Sequence, residues 1–137
     1  MQITILLDHD IEGDDLFLAA GLRETGWDQL LTVEFRRLRD FGLPNNLPDQ
    51  EIWRFAQQRQ IWLLTNNRNY DSETSLQATI DRENTLNSLP VITLSARERL
   101  GDPEYRQQAV LGLIEIIISP EKFLGTGRLY VPLVASD

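Results

Sequence analysis

Short apolar runs alternate with longer amphipathic stretches along this chain, and the alternation predicts its elements. Positions 3–7 are almost continuously apolar (Ile3, Thr4, Ile5, Leu6, Leu7), the pattern of a strand buried on both faces. Positions 14–25 read as a helix with Leu16, Leu18, Ala19 and Leu22 on one side and Gly26 at its end. Partial alternation through Leu31, Val33 and Phe35 makes positions 30–38 a second strand, and the two prolines and two asparagines of 41–48 make a loop. A helix follows at 49–59, with Ile52, Trp53 and Ala56 as its apolar face. A third buried strand at 61–65 stops abruptly at Asn66-Asn67-Arg68-Asn69. Positions 72–87 are polar but compatible with a helix, and 91–94 form a fourth strand after Pro90. Asp102-Pro103-Glu104 is a strong helix start, with Asp as N-cap and Pro at the first helical position. That helix runs to about residue 118 and is expected to bury Val110, Leu113, Ile114, Ile117 and Ile118. Positions 129–134, after Gly125-Thr126-Gly127, are a fifth strand or an edge extension.

Strands separated by helices imply crossover connections, right-handed by rule, and a parallel sheet covered on both faces. The expected fold is therefore a three-layer α/β/α domain over residues 1–137, with a mainly parallel sheet of four or five strands. In such sheets ligands bind beyond the carboxyl ends of the strands, where strand order reverses. With the common order 2-1-3-4-5 that crevice lies between the first and third strands. Asp8-His9-Asp10 and Asn66-Asn67 stand at its mouth.

Composition narrows the chemistry. The 137 residues suit one domain. With no cysteine, disulfides and thiolate chemistry are excluded, and one histidine (His9) excludes multi-histidine metal sites. No apolar run approaches the roughly 18–20 residues of a membrane span, and the first residues lack the basic flank of a signal peptide, so the expectation is a cytoplasmic protein without membrane association. A net charge of −8 disfavours a broad basic footprint on nucleic acid. It leaves room for a small acidic pocket, because a bound divalent cation reverses the local sign. Of the 13 cationic side chains only Lys122 is a lysine, so chemistry needing lysine has one candidate.

The densest signal is Asp8, Asp10, Glu12, Asp14 and Asp15, directly after the first strand. Like charges this close raise one another's pKa unless a cation or a helix N-terminus offsets them. Asp14 and Asp15 are accounted for by a first helical turn, where acids favour the dipole and cap amides. Asp8 is carried by its strand to the crevice mouth. The run also opens like a calcium-binding EF-hand loop, but Ala19 stands where the bidentate Glu is required, so that reading fails. Asp49 and Glu51 open the second predicted helix, where capping by Asn46 or Asp49 is the plain alternative. The run from Asn66 to Asp71 leaves the third strand at the same crevice, and a plain turn accounts for most of its positions.

Taken in order, Leu6-Leu7-Asp8, then Asp49-x-Glu51-Ile52 with Ala56, then Ile61-x-Leu63-Leu64-Thr65-Asn66-Asn67-Arg68-Asn69-Tyr70 resemble the small PIN-like nucleases of the toxin type. The resemblance covers roughly residues 1–94. It implies an RNA substrate, an antitoxin or other protein partner, a homodimer, and one or two Mg²⁺ or Mn²⁺ ions. On that pattern Asp8 is the central ligand, Asp49 or Glu51 the second, and Thr65 orients a ligand or phosphate. Two such metals about 3.5–4 Å apart activate water and stabilise the leaving oxygen. The family pattern has acids after the threonine, where this chain has Asn67 and Asn69. An Asn carbonyl ligates a hard cation but brings no charge. Asp10 or Asp71 would then supply the missing charge, and the site is either rearranged or degenerate.

Two rivals stand beside this. A phosphatase of the haloacid-dehalogenase type would use Asp8 and Asp10 as nucleophile and general acid, Thr65-Asn66 for phosphate and Lys122 as its lysine. The chain is short for that fold and has no acidic pair after the fourth strand. The other rival is a catalytically inactive PIN-like module used for binding or oligomerisation. Trp53 and Trp62 are expected in the core, and Arg36, Arg37 and Arg39 either touch phosphates or form a solvated, ion-paired edge.

Overall fold

A computed structural model of the chain describes residues 2–67 and 75–133. Five strands, β1 (Gln2–Leu7), β2 (Thr32–Arg36), β3 (Trp62–Thr65), β4 (Val91–Leu94) and β5 (Arg128–Val131), form one all-parallel sheet in the order β2-β1-β3-β4-β5. Four α-helices connect them: α1 (Asp15–Thr25), α2 (Asp49–Arg59), α3 (Leu76–Glu83) and α4 (Pro103–Ile118). The three-layer α/β/α architecture and the expected strand order are both present.

The two cores follow from strand alternation. Ile3, Ile5, Leu7, Leu64, Ile92 and Leu94 point toward α1 and α4, packing against Leu18, Leu22, Val110 and Leu113. Leu6, Leu63 and Val91 point the other way, toward Ile52, Trp53 and Ala56 of α2 and Leu76 and Ile80 of α3. Trp53 and Trp62 are buried as expected. α4 therefore crosses on the face opposite to α2 and α3, although β2→β3, β3→β4 and β4→β5 all step the same way across the sheet. The β4–α4–β5 connection consequently has the opposite hand to the other three, a departure from the uniform handedness expected.

Several boundaries differ from the sequence reading. A 3₁₀ turn (His9–Asp14) lies between β1 and α1, so the first α-helix starts at Asp15. The second strand is trimmed by 3₁₀ turns at Trp27–Gln29 and Leu38–Phe41. Leu16 is 76% exposed, because the buried stripe of α1 runs through Leu18, Gly21 and Leu22. Ile118, at the last turn of α4, is 46% exposed, whereas Val110, Leu113, Ile114 and Ile117 are buried. Asp102 caps α4 as expected, accepting from the Glu104 amide at 3.1 Å, and Gly26 ends α1 in the left-handed conformation. Positions 72–74 of the third predicted helix and residue 134 of the fifth strand lie outside the described residues. Among those described, no helix is long and apolar enough to cross a membrane.

Candidate functional site

The pairing Leu7↔Leu64, continued one step by the Asp8 amide donating to Leu64 O at 3.0 Å, sets Asp8 beside Thr65 at the carboxyl ends of β1 and β3. Thr65 pairs in turn with Thr93 of β4. All three face the α2/α3 layer, so a polar row closes that core at its upper edge. This is the switch point of strand order: β1 leads outward to β2, and the chain returns to β3 on the other side.

A chain of hydrogen bonds runs along the row. The Thr65 hydroxyl donates to Asp8 Oδ2 at 2.8 Å, and the His9 amide donates to Asp8 Oδ1 at 2.8 Å. The Asn67 amide donates to Thr65 Oγ1 at 2.9 Å, and the Asn67 side-chain amide donates to Asp49 Oδ2 at 3.0 Å. Two loops and the start of α2 are thereby tied together. Asp49 sits in the first turn of α2 behind Pro48, which offers no side-chain cap, and its carboxylate reaches Asn67.

Asp10 lies on the 3₁₀ turn after Asp8. Burial, then the neighbouring Asp8 charge, pushes its carboxyl up to about 6; His9 and Arg97 partly offset this. Its Oδ1 is buried with no hydrogen-bond partner among the described residues, as is Oε1 of Glu12 on the same turn. Asp14 does not cap α1. It is 8% exposed and pairs with Arg97, whose Nε donates to its Oδ2 at 2.5 Å. Asp15 lies 3.8 Å from Arg37.

Of the residues singled out in the sequence, Asp8, Thr65, Asn67 and Asp49 are joined by hydrogen bonds at the ends of β1 and β3, and Asp10 lies on the turn that follows Asp8. Glu51 does not join them: it is exposed and pairs with Arg54 at 3.2 Å, in a groove with Leu43, Leu47 and Phe55. Asp71 and Asn69 lie outside the described residues. Arg36 pairs with Glu34, so the arginine edge is ion-paired in part.

Two arginines were not anticipated. Arg128 of β5 donates through Nη1 to Asn67 O and Thr93 Oγ1, both at 2.7 Å, and through Nε to Gln77 Oε1 at 2.9 Å, bracing the loop after β3. Arg97 follows β4 and borders a cavity of about 460 Å³ with Asp14, Phe17, Asn66, Glu98 and Gly101. The signal for Arg97 was its place just past a strand end. For Arg128, which reaches up from the start of β5, the sequence holds no such signal.

Among the described residues no group of three or more His, Asp or Glu side chains converges to hold a metal ion. The fit to a divalent cation rests on fewer ligands. Asp8 and Asp10 are hard oxygen donors two residues apart, and Asp10 presents a buried oxygen lacking a donor. Mg²⁺ needs only one or two carboxylates, since water and phosphate complete its shell. Asp8 and Asp10 supply that number of carboxylates. Comparison with protein-family models, with curated proteins and with solved structures finds no match to this chain.

Proposed function

We propose that this domain is a ribonuclease of the PIN-like kind, dependent on Mg²⁺ or Mn²⁺, with Asp8 and Asp10 as the cation-binding pair. The observation that carries the reading is the buried, unpartnered Asp10 oxygen beside Asp8 at the strand-order switch point. A carboxylate oxygen buried without a donor is costly, and a cation removes that cost. When bound, the cation supplies Lewis-acid stabilisation of a phosphodiester. The chain's own residues do the rest. Thr65 and the His9 amide fix the Asp8 carboxylate, so little reorganisation is needed when charge arrives. Asn67 holds Asp49 in place, fastening the first turn of α2 to the loop after β3 beside Asp8. A protein antitoxin, a homodimeric state and a cytoplasmic location belong to the same proposal.

The phosphatase alternative is less well supported. Lys122 lies on the 3₁₀ turn Pro120–Lys122 that leads into β5, at the end of the parallel sheet away from Asp8. The non-catalytic binding module has one observation in its favour, the neutral Asn67 at a position where the family pattern carries an acid. The two are separated by incubating purified protein with single-stranded RNA and Mn²⁺. Cleavage by the native chain and its loss in Asp8→Asn support the nuclease. Equal cleavage by the variant marks a contaminant and sinks it. No cleavage, and no rise in melting temperature with Mn²⁺, leaves the binding module.

A further inference from the structure

Once an acidic pair holds a cation, a guanidinium close by is repelled by that cation unless an anion comes between them. Arg97 is in that position. It pairs with Asp14 on the same 3₁₀ turn that carries Asp10, which places it beside the proposed cation site. Its attachment is one-sided: Nε and, more weakly, Nη2 face the buried Asp14 carboxylate (2.5 and 3.5 Å), and no hydrogen bond engages Nη1 among the described residues. A buried carboxylate that pins one edge of a guanidinium fixes the direction in which the other edge points, and a pinned fork suits a phosphate. The Arg97 side chain remains 41% exposed.

The rest of the cavity matches one ligand class. Phe17, on the first turns of α1, is 42% exposed and lines the same cavity, as do Asn66 from the end of β3 and Gly101 beyond β4. An exposed aromatic ring beside a guanidinium is the pairing that binds single-stranded nucleic acid, the ring stacking a base and the cation holding the backbone. Two acids line this cavity: Asp14, whose carboxylate is paired with Arg97, and Glu98 on the rim, which is exposed to screening solvent. The strongly acidic remainder of the chain repels a polyanion, so contact is confined to this cavity and the adjoining carboxylates.

We propose that the cavity between α1 and the segment after β4 is the substrate subsite next to the reacting phosphodiester, where Phe17 stacks one base of single-stranded RNA and Arg97 binds a backbone phosphate. It rests on the ribonuclease reading and adds to it which strand-end cavity receives the chain.

The test is equilibrium binding of a short fluorescent single-stranded oligoribonucleotide, followed by anisotropy with Ca²⁺ in place of Mn²⁺ so that cleavage does not intervene. Phe17→Ala and Arg97→Met should each weaken binding about tenfold, the size of one lost stack or phosphate contact. Arg59→Met, a charge-matched change at the far end of α2, should leave it unchanged. Arg97→Met also deprives Asp14 of its partner, so melting curves accompany each variant. Phe17 is exposed enough that Phe17→Ala keeps the fold and carries the test alone. Native binding with Phe17→Ala unaltered overturns the subsite and leaves the ribonuclease reading standing. No binding by the native chain overturns both.

Discussion

The side-chain amide of Asn67 donates to Asp49 Oδ2 at 3.0 Å, fastening the loop after β3 to the first turn of α2. An acid at position 67 would face Asp49 as a like charge. Asn67→Asp should therefore lower the stability of the metal-free protein by on the order of 1 kcal/mol, the worth of roughly one pKa unit of repulsion. With Mn²⁺ the sign reverses, since the variant offers the cation a further carboxylate. Thermal melts with and without Mn²⁺ check this, and equal cation-induced shifts in variant and native chains would count against it.

Thr65 links the two halves of the site, accepting from Asn67 and donating to Asp8. Thr65→Val keeps the shape and leaves the buried Asp8 oxygen and the Asn67 amide each short of a partner. The expected loss is about 1–3 kcal/mol in denaturant unfolding. Thr65→Ser, which retains the hydroxyl, should recover most of it.

Asp10 gives the protein a defined pH dependence. Its carboxyl is raised from 3.8 to about 6 in the folded chain, by burial first and the Asp8 charge second. Between those values the folded state holds more protons than the unfolded state, so this group's contribution to stability falls as pH rises through the window and stays lost above it. Asp10→Asn should leave stability nearly unchanged at a pH of about 4 and raise it well above pH 6. The difference between variant and native melting temperatures, followed across that range, reads the effect directly; a flat difference contradicts it.

The contact of α1 with α4 is tight at Gly21, where an added Cβ would lie 2.6 Å from Val110 Cγ2 and 3.1 Å from Arg106 Cγ. Overpacking of this kind costs about 1–3 kcal/mol, against at most about 1 kcal/mol gained from helix propensity. Gly21→Ala should be destabilising by about 1–2 kcal/mol in chemical unfolding.

What the sequence disclosed divides along physical lines. Short apolar runs such as Leu6-Leu7 and Leu63-Leu64 mark strands buried on both sides, and the topological rule then places Asp8 and Thr65 at one crevice. Helix faces were legible where apolar residues recur at helical spacing, as with Ile52, Trp53 and Ala56. They failed at ends: Leu16 lies on the side of α1 away from the Leu18, Gly21 and Leu22 stripe, and Ile118 occupies the last turn of α4. The acid run misled for another reason. Asp14 looks like a helix-capping residue, whereas its partner Arg97 lies 83 positions away, a distance no local pattern reports. Glu51 shares its helix turn with Asp49, yet points to Arg54 because residues two apart on a helix face different directions. The hand of the β4–α4–β5 connection also carries no local signature.

The central claim, that Asp8 and Asp10 jointly hold a divalent cation, is tested most directly by anomalous diffraction from crystals of the protein soaked in Mn²⁺. A single anomalous peak in contact with the carboxylates of both residues, and absent from Asp8→Asn crystals, is the predicted result. No peak at saturating Mn²⁺, or a peak only at acids elsewhere on the surface, would contradict it.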